Sequence, residues 1–499
     1  VNVVHHTGPV ITLNGDAKVV VPSSIDEYQE PGATAVDASD GDVSSNINTK
    51  MEQVNDYTWK VIYTVKDSHD NESTAEREMC QQATEAPQIT LNGDADITIK
   101  EQEKYEDAGV TAVDDKTLEV QLNVPVSYFL SLMYFPTFYP MNQKFFESCG
   151  DTYGTSADTV LSNGAFVLTS YEPAATAFEL VKNADYYDAD RIALDGLNYQ
   201  VIKDSQQALM SYQNGDLDIT LLNGEQVEQV KDDPEFTSVG AGYLWYISPN
   251  MDAVPELANL NLRRAITFAL DRDSITNDVL KDGSSPAYTA VPAQFATGPD
   301  GSDFSADQTK FAEFCAYDPD KAAEYYEQAK AELGKDSFSF TMVVDADDAP
   351  QKVAQVVQEQ LQTTLPGFTL ELKVEPKKQR VQDMQDGNFE IGLTRWGPDY
   401  ADPMTYLGMW VTGNSNNYGL WSDADYDAVI AECTTGDLCT DPEGRWEAMY
   451  DAESIVLEQA AIFPLYGQCN AEMISSAVTG VDFHPVALNR VFKDAKKSV

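Results

Sequence analysis

The chain has 499 residues, enough for two to four domains with sizeable cores, and its 42% hydrophobic content is that of a globular protein. Its 82 acidic residues against 32 basic ones give a formal net charge of −50. That balance excludes nucleic acid as a partner, because a phosphate backbone needs a basic footprint, and it argues against an anionic membrane surface. It fits a highly soluble protein exposed at a surface or secreted, and also one from a salty environment.

From the start of the chain, Val1-Asn-Val-Val-His-His has neither the basic start nor the apolar core of a secretory leader, so the chain reads as mature or truncated at that end. An internal repeat follows. Pro9-Val-Ile-Thr-Leu-Asn-Gly-Asp16 recurs as Pro87-Gln-Ile-Thr-Leu-Asn-Gly-Asp94, and Tyr28-Gln-Glu-Pro-Gly-Ala-Thr-Ala-Val-Asp37 recurs as Tyr105-Glu-Asp-Ala-Gly-Val-Thr-Ala-Val-Asp114. An offset of 77 to 78 residues is the size of a small β-sandwich domain. Thr58-Trp-Lys-Val-Ile-Tyr-Thr-Val65 alternates like a half-buried strand, with a turn expected over Asp67 to Glu72. This first copy resembles the Ig-like repeats of bacterial surface proteins, down to its Asp40-Gly-Asp42 turn. Asp37, Asp40 and Asp42 are candidate calcium ligands, although acidic clusters arise freely in so acidic a chain.

The second copy stops early. After Ala112-Val-Asp-Asp115 the text becomes Lys116-Thr-Leu-Glu-Val-Gln-Leu-Asn-Val-Pro-Val-Ser-Tyr-Phe-Leu130. The longest apolar run, Tyr128 to Met141, is broken by Ser131 and Pro136 and is too short to span a bilayer, so any membrane anchor is expected outside this sequence. Leu262, Ala265, Ile266, Ala269 and Leu270 make one apolar stripe at helical spacing. Phe338 to Val344 reads as a strand, Ala349 to Leu365 as a helix, Phe368 to Val374 as a strand and Lys377 to Gln385 as a helix. With a strand starting at Phe389, that β-α-β-α-β run implies a mostly parallel sheet covered by helices. In such sheets ligands sit at the carboxyl ends of strands.

At such an end the last strand breaks at Gly397-Pro398 and presents Arg395, Trp396, Asp399 and Tyr400. An aromatic face beside one carboxylate suits a small polar ligand, while a core tryptophan before a solvated turn is the plain alternative. Arg395-Trp-Gly-Pro-Asp-Tyr-Ala-Asp-Pro403 closely resembles the binding-site segment of the family 5 extracellular solute-binding proteins, the oligopeptide receptors of bacterial ABC importers. Ser162-Asn-Gly-Ala-Phe-Val-Leu, Asn183-Ala-Asp-Tyr-Tyr187, Tyr212-Gln-Asn-Gly-Asp-Leu-Asp-Ile219 and Asn261-Leu-Arg-Arg-Ala-Ile-Thr-Phe-Ala-Leu-Asp-Arg-Asp273 also have counterparts there, and the resemblance runs from the join to about Lys497. It implies that Asp399 captures the α-amine of a peptide, and that the strand Tyr243 to Asn250 lines the cleft, with Tyr246 and Asn250 as further ligand-binding candidates. The family's N-terminal portion has no match; Ig-like sequence stands in its place.

The expected architecture is therefore multidomain. An Ig-like β-sandwich spans 1–86 and a partial second repeat 87–115. A two-lobed α/β periplasmic-binding-protein-like fold follows, its incomplete first lobe at 116–240 with 468–499 and its second lobe at 241–467. The resemblance implies a peptide or small-solute ligand, an ABC transporter permease as membrane partner, an extracellular, cell-surface or periplasmic location, a monomer, and no cofactor. The alternative is a cell-surface adhesion or spacer protein whose functional part is the Ig-like repeat.

Catalytic motifs are missing. There is no GxSxG, HExxH or phosphate loop, and the four histidines lie near the two ends. Six cysteines contain no CxxC pair, which argues against zinc. Cys433 and Cys439 bracket the turn-rich Thr-Thr-Gly-Asp-Leu, so a mutual disulfide is expected, with Cys80, Cys149, Cys315 and Cys469 unassigned.

Overall fold

The computed structural model of the protein describes residues 8–15, 18–21, 28–55, 58–81, 110–112, 118–120, 122, 125–172 and 174–498. The chain divides into two compact units, Val1–Asn123 and Val124–Val499.

The first unit contains β1 (Val10–Leu13), β2 (Lys18–Val21), β3 (Ala33–Asp37), β4 (Gly41–Asp42), β5 (Asn48–Asn55), β6 (Thr58–Lys66) and β7 (Glu72–Gln81). They form two sheets, β1-β3-β4 and β2-β7-β6-β5. Val61, Tyr63 and Val65 alternate along β6, and all three are buried, with Ala35, Val43 and Met79 completing the interior. The expected turn after β6 is built on Asp67, whose carboxylate accepts the His69 and Asn71 backbone N–H groups at 2.8 Å. The proposed calcium ligands serve the backbone instead. Asp37 accepts from the Ser39 and Asp40 N–H groups, Asp40 binds Ser68, and Asp42 accepts from the Ser44 N–H. Among the described residues no group of three His, Cys, Asp or Glu is placed to hold a metal. The second repeat copy lies outside the described residues, except for β8 (Val110–Ala112), which pairs antiparallel with β9 (Leu118–Val120).

The second unit has an antiparallel sheet of β10 (Phe166–Ser170), β11 (Ala177–Lys182) and β12 (Gly196–Gln200). Its main sheet is formed by β13 (Ile219–Leu221), β14 (Phe236–Pro249), β15 (Ser285–Pro286), β16 (Phe338–Asp345), β17 (Phe368–Glu375), β18 (Ile391–Trp396) and β19 (Phe463–Ile474). The spatial order is β13-β19-β14-β18-β16-β17, with β15 on β19. The β-α-β-α-β run forms as its periodicity predicts, with helices Asp348–Thr364 and Lys377–Gln385 as crossovers, and it places β16 between parallel β17 and β18. The whole sheet is mixed rather than mostly parallel, because β14 runs antiparallel to both β18 and β19. The helix Leu260–Phe268 starts at Asn259, whose side chain accepts the Leu262 N–H at 2.9 Å. Its stripe residues Leu262, Ala265 and Ile266, with Ala269 and Leu270 just beyond, are fully buried in a core shared with β14, the helix Pro319–Leu333 and the crossover helix Asp348–Thr364.

Strands β14 and β19 are long because each serves two neighbourhoods. Phe236–Gly240 pairs with Met473–Cys469, next to β13; Leu244–Pro249 pairs with β18. Between them the ladder breaks at Gly240–Leu244, where Gly242 has φ +72°, a left-handed backbone that glycine takes without strain. The helical layers on the two faces of β14 and β18 bury two separate cores, one around Trp245, Ile247 and Leu393, the other around Leu244, Tyr246 and Trp410.

Candidate functional site

Strand β18 ends at the carboxyl edge of the parallel run, and its last two residues part company there. In the register with β14, Arg395 lies opposite Trp245 and Trp396 opposite Leu244. Neighbouring residues of a strand point to opposite faces, so Arg395 and Trp396 do not share one surface. The guanidinium of Arg395 lies over the rings of Tyr243 (4.7 Å) and Trp245 (5.1 Å) and donates to Gln468 Oε1 at 3.2 Å, with Trp245 Nε1 donating to the same oxygen at 2.9 Å. The half-buried ring of Trp396 packs on the other core, and its indole N–H has no hydrogen-bond partner among the described residues.

Beyond Trp396 the chain turns sharply. Gly397 allows it: a Cβ there would stand 2.5 Å from the Tyr243 ring. Asp399 follows, its backbone N–H donating to Thr405 Oγ1 at 3.0 Å. Its half-buried carboxylate accepts no hydrogen bond from any described residue, and burial holds its pKa above the usual carboxylate range. Tyr406, fully buried, donates its hydroxyl to the Gly242 carbonyl and so ties the segment after Asp399 to the break in β14.

Tyr400 packs against Tyr128, with ring centroids 4.4 Å apart and planes 15° from parallel. Beneath that pair, buried Asp402 receives both terminal nitrogens of Arg445 at 2.8 Å, and Asp402 Oδ1 also accepts the Met404 N–H at 2.9 Å. The Arg445 guanidinium faces the Tyr128 ring at 5.4 Å. A charge-neutral ion pair and a stacked aromatic pair therefore support the segment that carries Asp399, whose carboxylate has no partner among the described residues. Such a carboxylate can accept hydrogen bonds from a cation. It has no adjacent histidine, thiol or second free carboxyl among the described contacts with which to form a nucleophile–base pair.

Two of the expected ligand-binding residues are elsewhere. Tyr246 is 1% exposed, edge-on to Trp410 in the core, because it faces inward on β14. Asn250 is also 1% exposed, and its side chain is saturated: Nδ2 donates to the Gly387 and Phe389 carbonyls, and Oδ1 accepts the Asp252 and Ala253 N–H groups. It clamps the end of β14 to the loop before β18. The disulfide is not formed either. Cys433 and Cys439 carry free thiols. Cys433 is buried facing the next helix, its thiol donating to the Arg445 carbonyl at 3.8 Å, and burial pushes its pKa up to about 11. Tyr243, Gln468, Arg445 and Tyr128 belong to the site but carry no local signature. Tyr128 stands in the stretch Pro125-Val-Ser-Tyr-Phe129, and Tyr243 opens the strand that the resemblance places along the cleft.

Comparison with known proteins gives a consistent answer. The profile of the bacterial extracellular solute-binding proteins, family 5 (middle region), matches residues 54–418, and that of a bacterial surface protein Ig-like domain matches residues 11–80. A dipeptide-binding protein of Lactococcus lactis is 32% identical over 401 residues, covering 78% of this chain and 72% of the relative. The substrate-binding domain of an oligopeptide ABC transporter from Bacillus anthracis superposes with a TM-score of 0.68 at 36% identity, covering 78% of this chain and 76% of that one. Listeria monocytogenes OppA bound to peptide superposes with a TM-score of 0.68 at 26% identity, covering 97% and 100%.

Proposed function

The chain belongs to the bacterial extracellular solute-binding proteins of family 5, and on that premise we propose that it is the peptide receptor of an ABC importer, with Asp399 receiving the ligand's α-amine. The family is one of substrate-binding proteins, its members act outside the cytoplasmic membrane, and no helix among the described residues is long and apolar enough to cross a membrane. The names of several relatives specify dipeptides, oligopeptides or a bound peptide, and a free α-amine is the positive group those ligands have in common.

The observation that carries the reading is the half-buried Asp399 carboxylate, which has no hydrogen-bond partner among the described residues. A lone carboxylate withdrawn from water is costly, and a charge-assisted hydrogen bond from an ammonium group offsets that cost. Trp396 and Tyr400 supply flat apolar walls, and the break in β14 and β19 is where two lobes hinge about the ligand. Arg395 supports this edge from the opposite face, packed on Tyr243 and Trp245.

The test is calorimetry with a mixed tripeptide pool and its N-acetylated counterpart. Breaking a buried charged pair costs about 3–5 kcal/mol, so Asp399→Asn weakens free-amine binding by about two decades or more, at about 1.4 kcal/mol per decade. Acetylation produces a similar loss with the unaltered protein. Equal binding of acetylated and free peptides would refute amine capture by Asp399.

A further inference from the structure

Tyr128 stands apart from everything else around Asp399. It precedes the helix Phe129–Leu132 and the three-stranded sheet, so it reaches the site from the part of the chain before the crossover strand β14. Its neighbours Tyr400, Asp402 and Arg445 all come from the part between β14 and β19. Much of the surface near Tyr128 in sequence faces solvent, with Leu130 71% and Tyr134 68% exposed, whereas Tyr128 itself is half-buried. The ring is held in two ways: it lies flat on Tyr400, and it faces a guanidinium whose charge is already matched by Asp402. A neutralised guanidinium loses little hydration when an aromatic ring covers it, so the contact favours closure without demanding a new ion pair.

We propose that Tyr128 is an interlobe clasp: its ring, seated on Tyr400 and Arg445, holds the lobes together beside Asp399 and sets how far that carboxylate is withdrawn from water. The inference rests on the two-lobed receptor reading above. The coupling runs through one short segment. Tyr400 is bonded in sequence to Asp399, and its carbonyl accepts the Asp402 N–H at 3.0 Å. Asp402 in turn orients Arg445. Opening the clasp therefore frees the flank of Asp399 directly, without passing through the hinge. A ligand ammonium on Asp399 and the ring of Tyr128 favour the same closed arrangement, so each strengthens the other's hold.

The experiment uses the full chain without ligand, so that its outcome does not depend on what Asp399 binds. Hydrogen exchange by mass spectrometry is compared for the unaltered protein, Tyr128→Ala, Tyr128→Phe and Tyr400→Leu. Tyr128→Ala is expected to speed exchange across 399–407 by about tenfold, the scale on which one aromatic pair acts, while Tyr128→Phe, which keeps the stack, stays close to the unaltered protein. Tyr400→Leu is expected to speed exchange in 126–132, the reciprocal effect on the other lobe. Acceleration confined to the mutated lobe in both variants, or a Phe variant as open as Ala, would overturn the clasp. Failure of the acetylated-peptide test alone would leave it standing and would change only the ligand.

Discussion

At the scale of single residues, two buried carboxylates show how surroundings assign roles. Asp399 is half-buried, without a hydrogen-bond partner among the described residues and at the rim of a break, which suits a ligand. Glu453 is 1% exposed in the helix Pro442–Glu458 and is occupied: Oε1 accepts the Ala290 and Val291 N–H groups at 2.7 and 3.0 Å, while Oε2 has no partner among the described residues. Burial pushes its pKa up to about 8, against the smaller opposing pull of those two N–H groups and of Lys310. A carboxyl whose folded-state pKa is raised stabilises the fold below its unfolded value near 4.5 and loses that contribution as pH rises through about 8. Over that window the native state retains a proton that the unfolded chain releases, a slope of up to about 1.4 kcal/mol per pH unit. Glu453→Gln, the isostere of the neutral acid, is expected to flatten the decline in thermal stability between pH 5 and pH 8 (about those limits). An identical decline in both proteins would mean that Glu453 is not its source.

At the scale of elements, the turn after β18 is held by a buried ion pair rather than by its own sequence. Asp402 and Arg445 are 7% and 4% exposed, and Arg445 Nε also donates to the Cys433 carbonyl at 3.0 Å, so one guanidinium joins the site segment to two helices. Removing one member strands the other charge. Asp402→Ala is expected to cost about 3–5 kcal/mol in chemical denaturation, whereas a joint replacement of both residues by apolar groups costs much less. A loss below about 1 kcal/mol for the single change would show that the pair is solvated and does not organise the turn. The same scale explains β14. Its upper half is paired with β18 and β19 and held by Asn250, its lower half is paired with β19, and the stretch around Gly242 is where the ladder leaves room to bend.

At the scale of the molecule, the second unit is unevenly built. Between β14 and β19 two large cores cover both faces of a mixed sheet. Before β14, the sheet β10-β11-β12 has no buried strand residue, and Leu130, Tyr134, Met141, Leu161 and Tyr187 are exposed. Local stability follows buried apolar contact, so amides in 166–200 are expected to exchange faster than those in 338–396, by about two decades or more. Equal protection in the two regions would contradict this picture of an uncovered first lobe. The exposed apolar groups also sit on a chain of net charge −50, whose mutual repulsion keeps such surfaces apart in dilute solution.

Much of this was legible in the sequence, because periodicity is local. The apolar stripe Leu262–Leu270, the β-α-β-α-β run and the alternation of Thr58–Val65 each appear where the spacing predicts, and the Gly397-Pro398 break puts Asp399 at the end of a strand. What remained hidden depends on which distant segment each element meets. The antiparallel run of β14 against β18 turned the sheet from parallel to mixed and directed Tyr246 inward; the loop before β18 took both Nδ2 hydrogens of Asn250, and the turn after β14 filled its Oδ1. The opposite facing of Arg395 and Trp396 follows from strand geometry alone, but its consequence, a cation packed on Tyr243 and Trp245, needed β14 beside it. Cys433 turned to the Arg445 backbone instead of Cys439, although only five residues separate the two thiols in sequence. The elements, the family resemblance and the strand-end position of the Asp399 carboxylate could be read from residue order, because these are written in short-range patterns. Which side chains meet behind that carboxylate depended on the folded chain: Tyr128 and Tyr400 are brought together by how the chain crosses between lobes, and nothing local in either residue encodes that meeting.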